Sequence, residues 1–404
     1  MKLKFEFNYT IDIQDCKLNT VLAAFNEMKT DLLNIFTQKI IEEFANAYMT
    51  QKIKPFACEQ CNNNESFIWK TRHGKLTKII TILQPVFLRQ LQVECKKCGH
   101  KFYITRSLLG LERRKRVSKD TIKKFGLIGA LTTYRVAEKI MKMFGIAIDK
   151  MTIWRAVQKT GSEIEFDVDP NEEGRGEADG TGIPIRGIKK RGQEMKVFVQ
   201  HKKGGGVRIA GLSIGKYDRG WDKLFNPLIE NIKKFPKFLL VTDGDTSIFK
   251  SIADKVDIIF QRCLWHIPHQ MKYYLWQDKV KRKSDHWFYI LAEILSICNI
   301  KSIQDEDRDE IIEKIIRSKE KQLEKLIEYC ESNSMKSCTS YLNNAKPDFF
   351  SGIRNKLKGK TTSHAERVMR TINYRANAGK WSPAGALNLN KIRLAYYYNG
   401  FDVQ

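Results

Sequence analysis

A chain of 404 residues is too long for one ordinary core and implies about two to four domains. Its formal charge of +25 points to a polyanionic partner, nucleic acid first, with a Lys-rich solvated surface as the bland alternative. No compact basic amphipathic helix favours a membrane surface, no apolar region follows MKLKFEFNYT, and nine cysteines, an odd number, do not make a disulfide framework. No run approaches the roughly 18 apolar residues of a membrane span, so a cytoplasmic, nucleoid-associated chain is expected.

In chain order, residues 1–54 read as an N-terminal helical arm. Val21, Leu22, Phe25, Met28, Leu32, Ile35, Phe36 and Ile40 recur at helical intervals, suited either to a dimerisation arm or to a packing helix. Residues 55–111 carry Cys58-x-x-Cys61 and Cys95-x-x-Cys98 around strand-like stretches. Two such knuckles make the four-sulfur cage that structural Zn2+ prefers, so a zinc ribbon is expected. Residues 112–173 open with a basic connector, in which Arg113, Arg114, Lys115 and Arg116 suit either phosphates or a solvated linker. Helices are predicted over Lys119–Leu131, Arg135–Phe144 and Lys150–Thr160, with Gly145 closing the second and Asp149 capping the third. The short Gly-containing turn reads as a helix-turn-helix DNA-binding domain. Met151, Ile153, Trp154 and Val157 would supply its packing and crossing contacts, while Lys150, Thr152, Arg155 and Lys159 would face DNA.

An acidic stretch, Gly161 to Gly176, marks a boundary. Strands are predicted over Gly176–Arg186, Met195–His201 and Val207–Ile214, then a helix over Trp221–Phe235. A buried strand at Phe238 runs into Asp243, a helix covers Ser247–Asp254, and a fifth strand covers Val256–Phe260. Three strands in a meander followed by two in parallel crossovers is the strand order of a ribonuclease H-like fold. That order places Asp179 beside Asp243. The catalytic core would run over residues 174–266, break for an all-helical insertion at 267–345, and resume at 346–404 with a helix opening on Thr361, Thr362 and Ser363 and carrying Glu366. The charges of Arg308 to Asn333 read as a solvated helix face. The fold class is thus multidomain α+β: arm, zinc ribbon, helix-turn-helix and an interrupted α/β catalytic domain.

Phosphodiester cleavage needs an activated oxygen nucleophile and a stabilised leaving oxygen, which two Mg2+ (or Mn2+) ions about 4 Å apart supply together. Mg2+ takes hard oxygen ligands, so Asp179, bridging, with Asp243 and Glu366 suffices. Glu177 competes with Asp179, and Asp245 with Asp243, each two residues away on the same side. These residues, in the motifs ADGTGIP, VTDGD, QRCLWHIPHQ and T-S-x-x-E-R, resemble a Mutator-like DDE transposase of a prokaryotic insertion sequence. The resemblance covers roughly residues 174 to 400 and includes Cys263-x-x-His266, a mark of that class. It implies an enzyme that binds terminal inverted repeats and catalyses metal-dependent cleavage and strand transfer, as a homo-oligomer on double-stranded DNA. Cys263 and His266 would be structural or position DNA, with Trp265 stacked on a base or buried in the core, and Arg367, Arg370 and Arg375 would face DNA. Two other readings stay open: an RNase H-like nuclease or recombinase without its own element, and a DNA-binding regulator derived from a transposase.

Overall fold

The structure is a computed structural model that describes residues 6–13, 15, 17–50, 56–111, 115–188, 193–217, 219–300, 309–355 and 361–401. The chain is mixed α+β and divides into two compact units, Met1–Thr160 and Gly161–Asp402. No helix among the described residues is long and apolar enough to cross a membrane.

The first unit begins with α1 (Leu18–Thr50), followed by β1 (Phe67–Thr71), β2 (Leu76–Ile80), β3 (Pro85–Arg89), β4 (Gln92–Cys95) and β5 (Lys101–Tyr103). β1, β4 and β5 form one antiparallel sheet and β2 with β3 a second. An open strand edge leaves backbone N–H groups unpaired. Along β3 helix α1 answers them: Asn34 Oδ1 accepts from Phe87 N and Gln38 Oε1 from Arg89 N, both at 2.8 Å. The C-terminal half of α1 buries Ile41 and Ala45, so this half packs, while Leu18, Leu22 and Phe25 of the first half stay exposed.

Next come α2 (Ile104–Leu108), α3 (Lys119–Leu131), α4 (Tyr134–Met143) and α5 (Lys150–Ser162). Phe125, Ala137, Met141, Ile146, Ile148, Ile153 and Ala156 make one core from these last three helices. Ser118, Thr133 and Asp149 cap them through side-chain oxygens, and Gly145 turns the chain at φ +76°.

The second unit is built on a five-stranded mixed sheet: β6 (Arg175–Gly182), β7 (Glu194–His201), β8 (Val207–Gly215), β9 (Phe238–Thr242) and β10 (Ile258–Arg262), in the order β10-β9-β6-β7-β8. β6, β7 and β8 are antiparallel, whereas β9 runs parallel to both β6 and β10. The region predicted as one helix over Trp221–Phe235 is broken. α6 (Trp221–Phe225) passes through a 3-10 turn at Asn226–Leu228 into α7 (Ile229–Ile232), because Pro227 has no N–H to continue the ladder. α8 (Thr246–Ile252) links β9 to β10.

Then follow α9 (His266–Gln277), α10 (Asp285–Cys298), α11 (Asp309–Ser332) and α12 (Lys336–Ala345), packed around their own core that includes Met271, Ile294, Ile316, Leu323 and Leu342. The chain returns to the sheet edge at α13 (Ser351–Arg354). There Gln261 Nε2 donates to Phe349 O at 2.7 Å, Gly352 N donates to Gln261 Oε1 at 3.0 Å, and Ser351 Oγ donates to Phe260 O. α14 (Ser363–Ala376) and α15 (Pro383–Tyr398) close the unit. On α14, Ala365, Val368, Met369, Ile372 and Ala376 recur at helical spacing and bury against Ile183, Met195, Val197 and Val199.

Candidate metal centres

In the first unit the four sulfurs of Cys58, Cys61, Cys95 and Cys98 lie within 4.8 Å of one another. Cys58 to Cys98 measures 3.5 Å and Cys61 to Cys95 3.7 Å. A tetrahedral site with metal–sulfur bonds of about 2.3 Å has edges of about 3.8 Å, so this set fits one ion. Each knuckle ends alike: the residue after its second cysteine, Asn62 or Gly99, takes a left-handed turn with φ +52° or +72°. Burial raises the Cys95 thiol, but donors from Asn63 and the backbone of Cys98 and Lys97 outweigh it and hold the group at about 6. Backbone donation from His100 lowers Cys98, yet burial and the three neighbouring sulfurs push it up to about 12. Such crowding of thiols is what a bound cation relieves.

In the second unit, strand register does the assembly. Ala178 pairs with Thr242 where the parallel β6–β9 ladder ends, so the next residues, Asp179 within β6 and Asp243 just past β9, emerge side by side. Both are half-buried. Burial, then repulsion from Asp243, raises Asp179 to about 7, although Gly180 N donates to its Oδ1 at 2.7 Å. Burial likewise raises Asp243, against a 2.9 Å bond from Asp245 N. The turn after Asp243 requires glycine: Gly244 has φ +93°, and a Cβ there would run into the Arg262 guanidinium. Arg262 is itself held by a two-pronged pair with Asp348, Nε to Oδ1 at 3.0 Å and Nη2 to Oδ2 at 3.1 Å.

The third carboxylate comes from α14. Glu366 Oε1 lies 3.2 Å from His266 Nε2, the first residue of α9. The other ring nitrogen of His266 meets Thr362 Oγ1 at 3.3 Å, and Thr362 N and Oγ1 both donate to Cys263 Sγ, at 3.3 and 3.5 Å. Burial opposes a charge on His266, but Cys263, Asp179 and Asp243 raise it to about 9. Burial would lift the Cys263 thiol; His266 and Thr362 bring it below the ordinary value instead. The Cys-x-x-His pair is therefore a bridge between β10, α9 and the Glu366 helix. His266 also touches the acid directly, a role that the sequence spacing alone did not disclose.

A cavity of about 600 Å3 opens on Asp243, with Tyr217, Arg262, Tyr274, Lys336 and Asn344 among its walls. A second, of about 400 Å3, lies against Glu366, lined by Cys263, Trp265, Thr361, Arg367 and Arg370. Trp265 is half-exposed and stacks on His269 at 4.1 Å, so it is no core residue.

Both rival acids are occupied elsewhere. Asp245 caps α8, accepting from Ser247 N and Oγ at 2.8 Å each. Glu177 is buried and accepts from His201 and from the start of α14. Two further expectations are corrected. Arg375 does not face outward: it is buried, with its guanidinium 4.8 Å from the Trp381 ring. Met151 and Trp154 are exposed, so of the four residues expected to pack only Ile153 and Val157 are buried, beside Ala156. Thr152 is half-buried and gives its hydroxyl proton to Asp149 Oδ2 at 2.8 Å. Lys115, Arg116, Lys150, Arg155, Arg367 and Arg370 are exposed and Lys159 half-buried, while Arg113 and Arg114 lie outside the described residues.

The sequence reading missed a buried pair beside the acids. Lys196, fully buried, donates to Glu194 Oε2 at 2.6 Å and to Tyr217 O at 2.9 Å. Glu194 lies two residues away on the same strand, EMKVFVQH, but nothing in that spacing tells that the pair is buried, and the second partner, Tyr217 O, comes from the turn after β8. The chain matches no protein-family model and no curated protein.

Proposed function

We propose that the second unit is a ribonuclease H-like catalytic domain and that the chain is a DDE transposase of an insertion sequence, with Asp179, Asp243 and Glu366 as its metal-binding, catalytic residues. The observation that carries this reading is the β6–β9 register, which sets Asp179 and Asp243 side by side with Glu366 facing them across His266.

The carboxylates offer hard oxygens, and their mutual repulsion disfavours the fully ionised set until a divalent cation is bound. Among the described residues, the ligand groups drawn within 4.8 Å of one another do not include these three acids. Bound at these acids, two Mg2+ ions supply an activated water and neutralise the leaving oxygen. His266 holds Glu366 in place, and its raised basicity offsets the negative charge of the cleft. The cavity beside Asp243 and the Trp265 face beside Glu366 give a DNA strand room on either side. In the first unit the cysteine cluster holds a structural Zn2+, and α4–α5 act as the helix-turn-helix that reads the terminal repeats.

The test is cleavage of duplexes carrying the inverted repeats that flank the gene. Asp243→Asn removes a metal ligand and should lower cleavage on the order of 10³-fold, since several kcal/mol of transition-state stabilisation go with it. Binding of the ends should stay within a few-fold. Cleavage that survives in Asp243→Asn, or that ignores Mg2+, would sink the proposal. Cleavage without any preference for flanking repeats would favour the nuclease reading.

A further inference from the structure

One polar chain near the acids is used by none of the chemistry above. Thr362 stands at the N-cap of α14, yet its side chain makes no capping bond. The orphan N–H groups of this helix are answered from the sheet instead. Glu177 Oε2, from β6, accepts from His364 N at 2.9 Å and from Ala365 N at 2.8 Å. Its other oxygen, Oε1, accepts from His201 Nε2 at 2.8 Å, and His201 Nδ1 accepts from Arg175 Nη2 at 2.9 Å.

The direction of this chain follows from elementary chemistry. A guanidinium only donates, so His201 Nδ1 is bare and the ring proton sits on Nε2, pointing at Glu177. Glu177, His201 and His364 bring ligand atoms within 4.8 Å of one another, which is also metal-ligand proximity. With the proton on Nε2 and Arg175 on Nδ1, His201 has no lone pair left for an ion. The cluster is a hydrogen-bonded relay, and both Glu177 and His201 are buried, at 2% and 6% exposure.

Glu177 and Asp179 are two residues apart on one strand, hence on one face. Glu366 follows directly on the two residues that Glu177 grips. We infer that Glu177 is a positioning residue: from β6 it fixes the first turn of α14 and so sets the distance and direction of Glu366 relative to Asp179. The inference rests on the reading of Asp179, Asp243 and Glu366 as a metal site. A displacement of about 1 Å at such a centre is costly, so a buried anchor shared with the opposing ligand's strand has an evident use.

Glu177→Gln is close to isosteric and isolates the effect. Both sides of Glu177 present donors, and glutamine has only one oxygen. Its NH2 must face either the helix N–H groups or His201 Nε2–H, and Arg175 blocks the tautomer change that would reconcile them. The probe is Mn2+ alone, titrated into the full chain and followed by electron paramagnetic resonance. The expected result is a folded variant whose Mn2+ affinity falls roughly tenfold, the scale of lost outer-shell support. The Mn2+ concentration for half-maximal cleavage should rise by the same factor, with most of the rate recovered at saturation.

Ile372→Val, which thins the buried face of α14 away from its first turn, should lower the melting temperature without moving the Mn2+ dependence. Should Glu177→Gln fold poorly, His201→Leu weakens the relay one step further out and must shift Mn2+ affinity in the same direction. Unchanged Mn2+ affinity in Glu177→Gln, or an equal shift in Ile372→Val, overturns the inference and leaves the metal-site reading standing. A second zinc per chain that disappears with His364→Ala also overturns it, in favour of a metal cage. Absence of Mn2+ binding in the wild-type chain overturns the metal-site reading, and this inference with it.

Discussion

The cysteine cluster of the first unit and the carboxylate cleft of the second both bring like groups together, but they do so by opposite means. The cysteines arrive on two short knuckles that each end in a left-handed turn, and their sulfurs already stand near the corners of a tetrahedron. A four-sulfur site of this kind is closed, because an ion held there takes up all four ligands. The acids arrive from a strand, a turn and a distant helix, and burial together with their mutual repulsion raises Asp179. His266 and Glu177 hold the third of them in place. On the proposed reading, what separates the two is where the coordination energy goes: into folding in the first unit, into chemistry in the second.

Cys58→Ser breaks that contrast at its strong end. Binding energies of structural zinc sites are of order 10 kcal/mol, so the variant should lose its zinc together with the cooperative melting of the first unit. Mn2+ binding by the second unit should survive. Retention of zinc and fold in the variant would mean the sulfurs are packed rather than ligating.

The cleft should behave in the reverse sense, with removal of a ligand relieving strain in the metal-free chain. Asp179 titrates at about 7 in the folded protein. In the unfolded chain the value is about 3.9. Between these values the folded state holds a proton that the unfolded state has lost, so the protonated group's stability contribution declines as pH rises through about 7. Asp179→Asn should therefore melt higher than wild type at pH 8 without divalent ions, with the gain shrinking as pH falls below about 7. Added Mg2+ should reverse the order. Melting curves that stay parallel across pH would show that Asp179 carries no such burden.

How far each region was legible follows from the same contrast. The cysteine cluster could be read from two local spacings. Asp149 and the start of α5 at Lys150 were legible because an N-cap is a signal a few residues long. The adjacency of Asp179 and Asp243 needed only strand order. The His266–Glu366 contact was hidden because it joins residues 100 apart in the chain, through helix starts whose relative placement no periodicity encodes. Glu177 was legible as a candidate ligand but not as an anchor, since its partners are backbone N–H groups of α14. Arg375 misled for a related reason. A charged residue on a helix reads as outward-facing until a partner, here Trp381, is placed beside it.

The smallest expected effect concerns DNA binding. Lys150 and Arg155 are exposed on α5. If each meets a phosphate, Lys150→Ala and Arg155→Ala should each reduce the slope of log affinity against log salt by about 1. Unchanged slopes would move the phosphate contacts to another face.

The central claim is that Asp179, Asp243 and Glu366 together hold divalent metal, and anomalous scattering from crystals soaked in Mn2+ tests it most directly. Two Mn2+ peaks about 4 Å apart are expected between the three carboxylates, with Asp179 shared and Glu366 turned to its ion. Peaks at Glu177, His201 and His364, or none at Asp179 and Asp243, would contradict it.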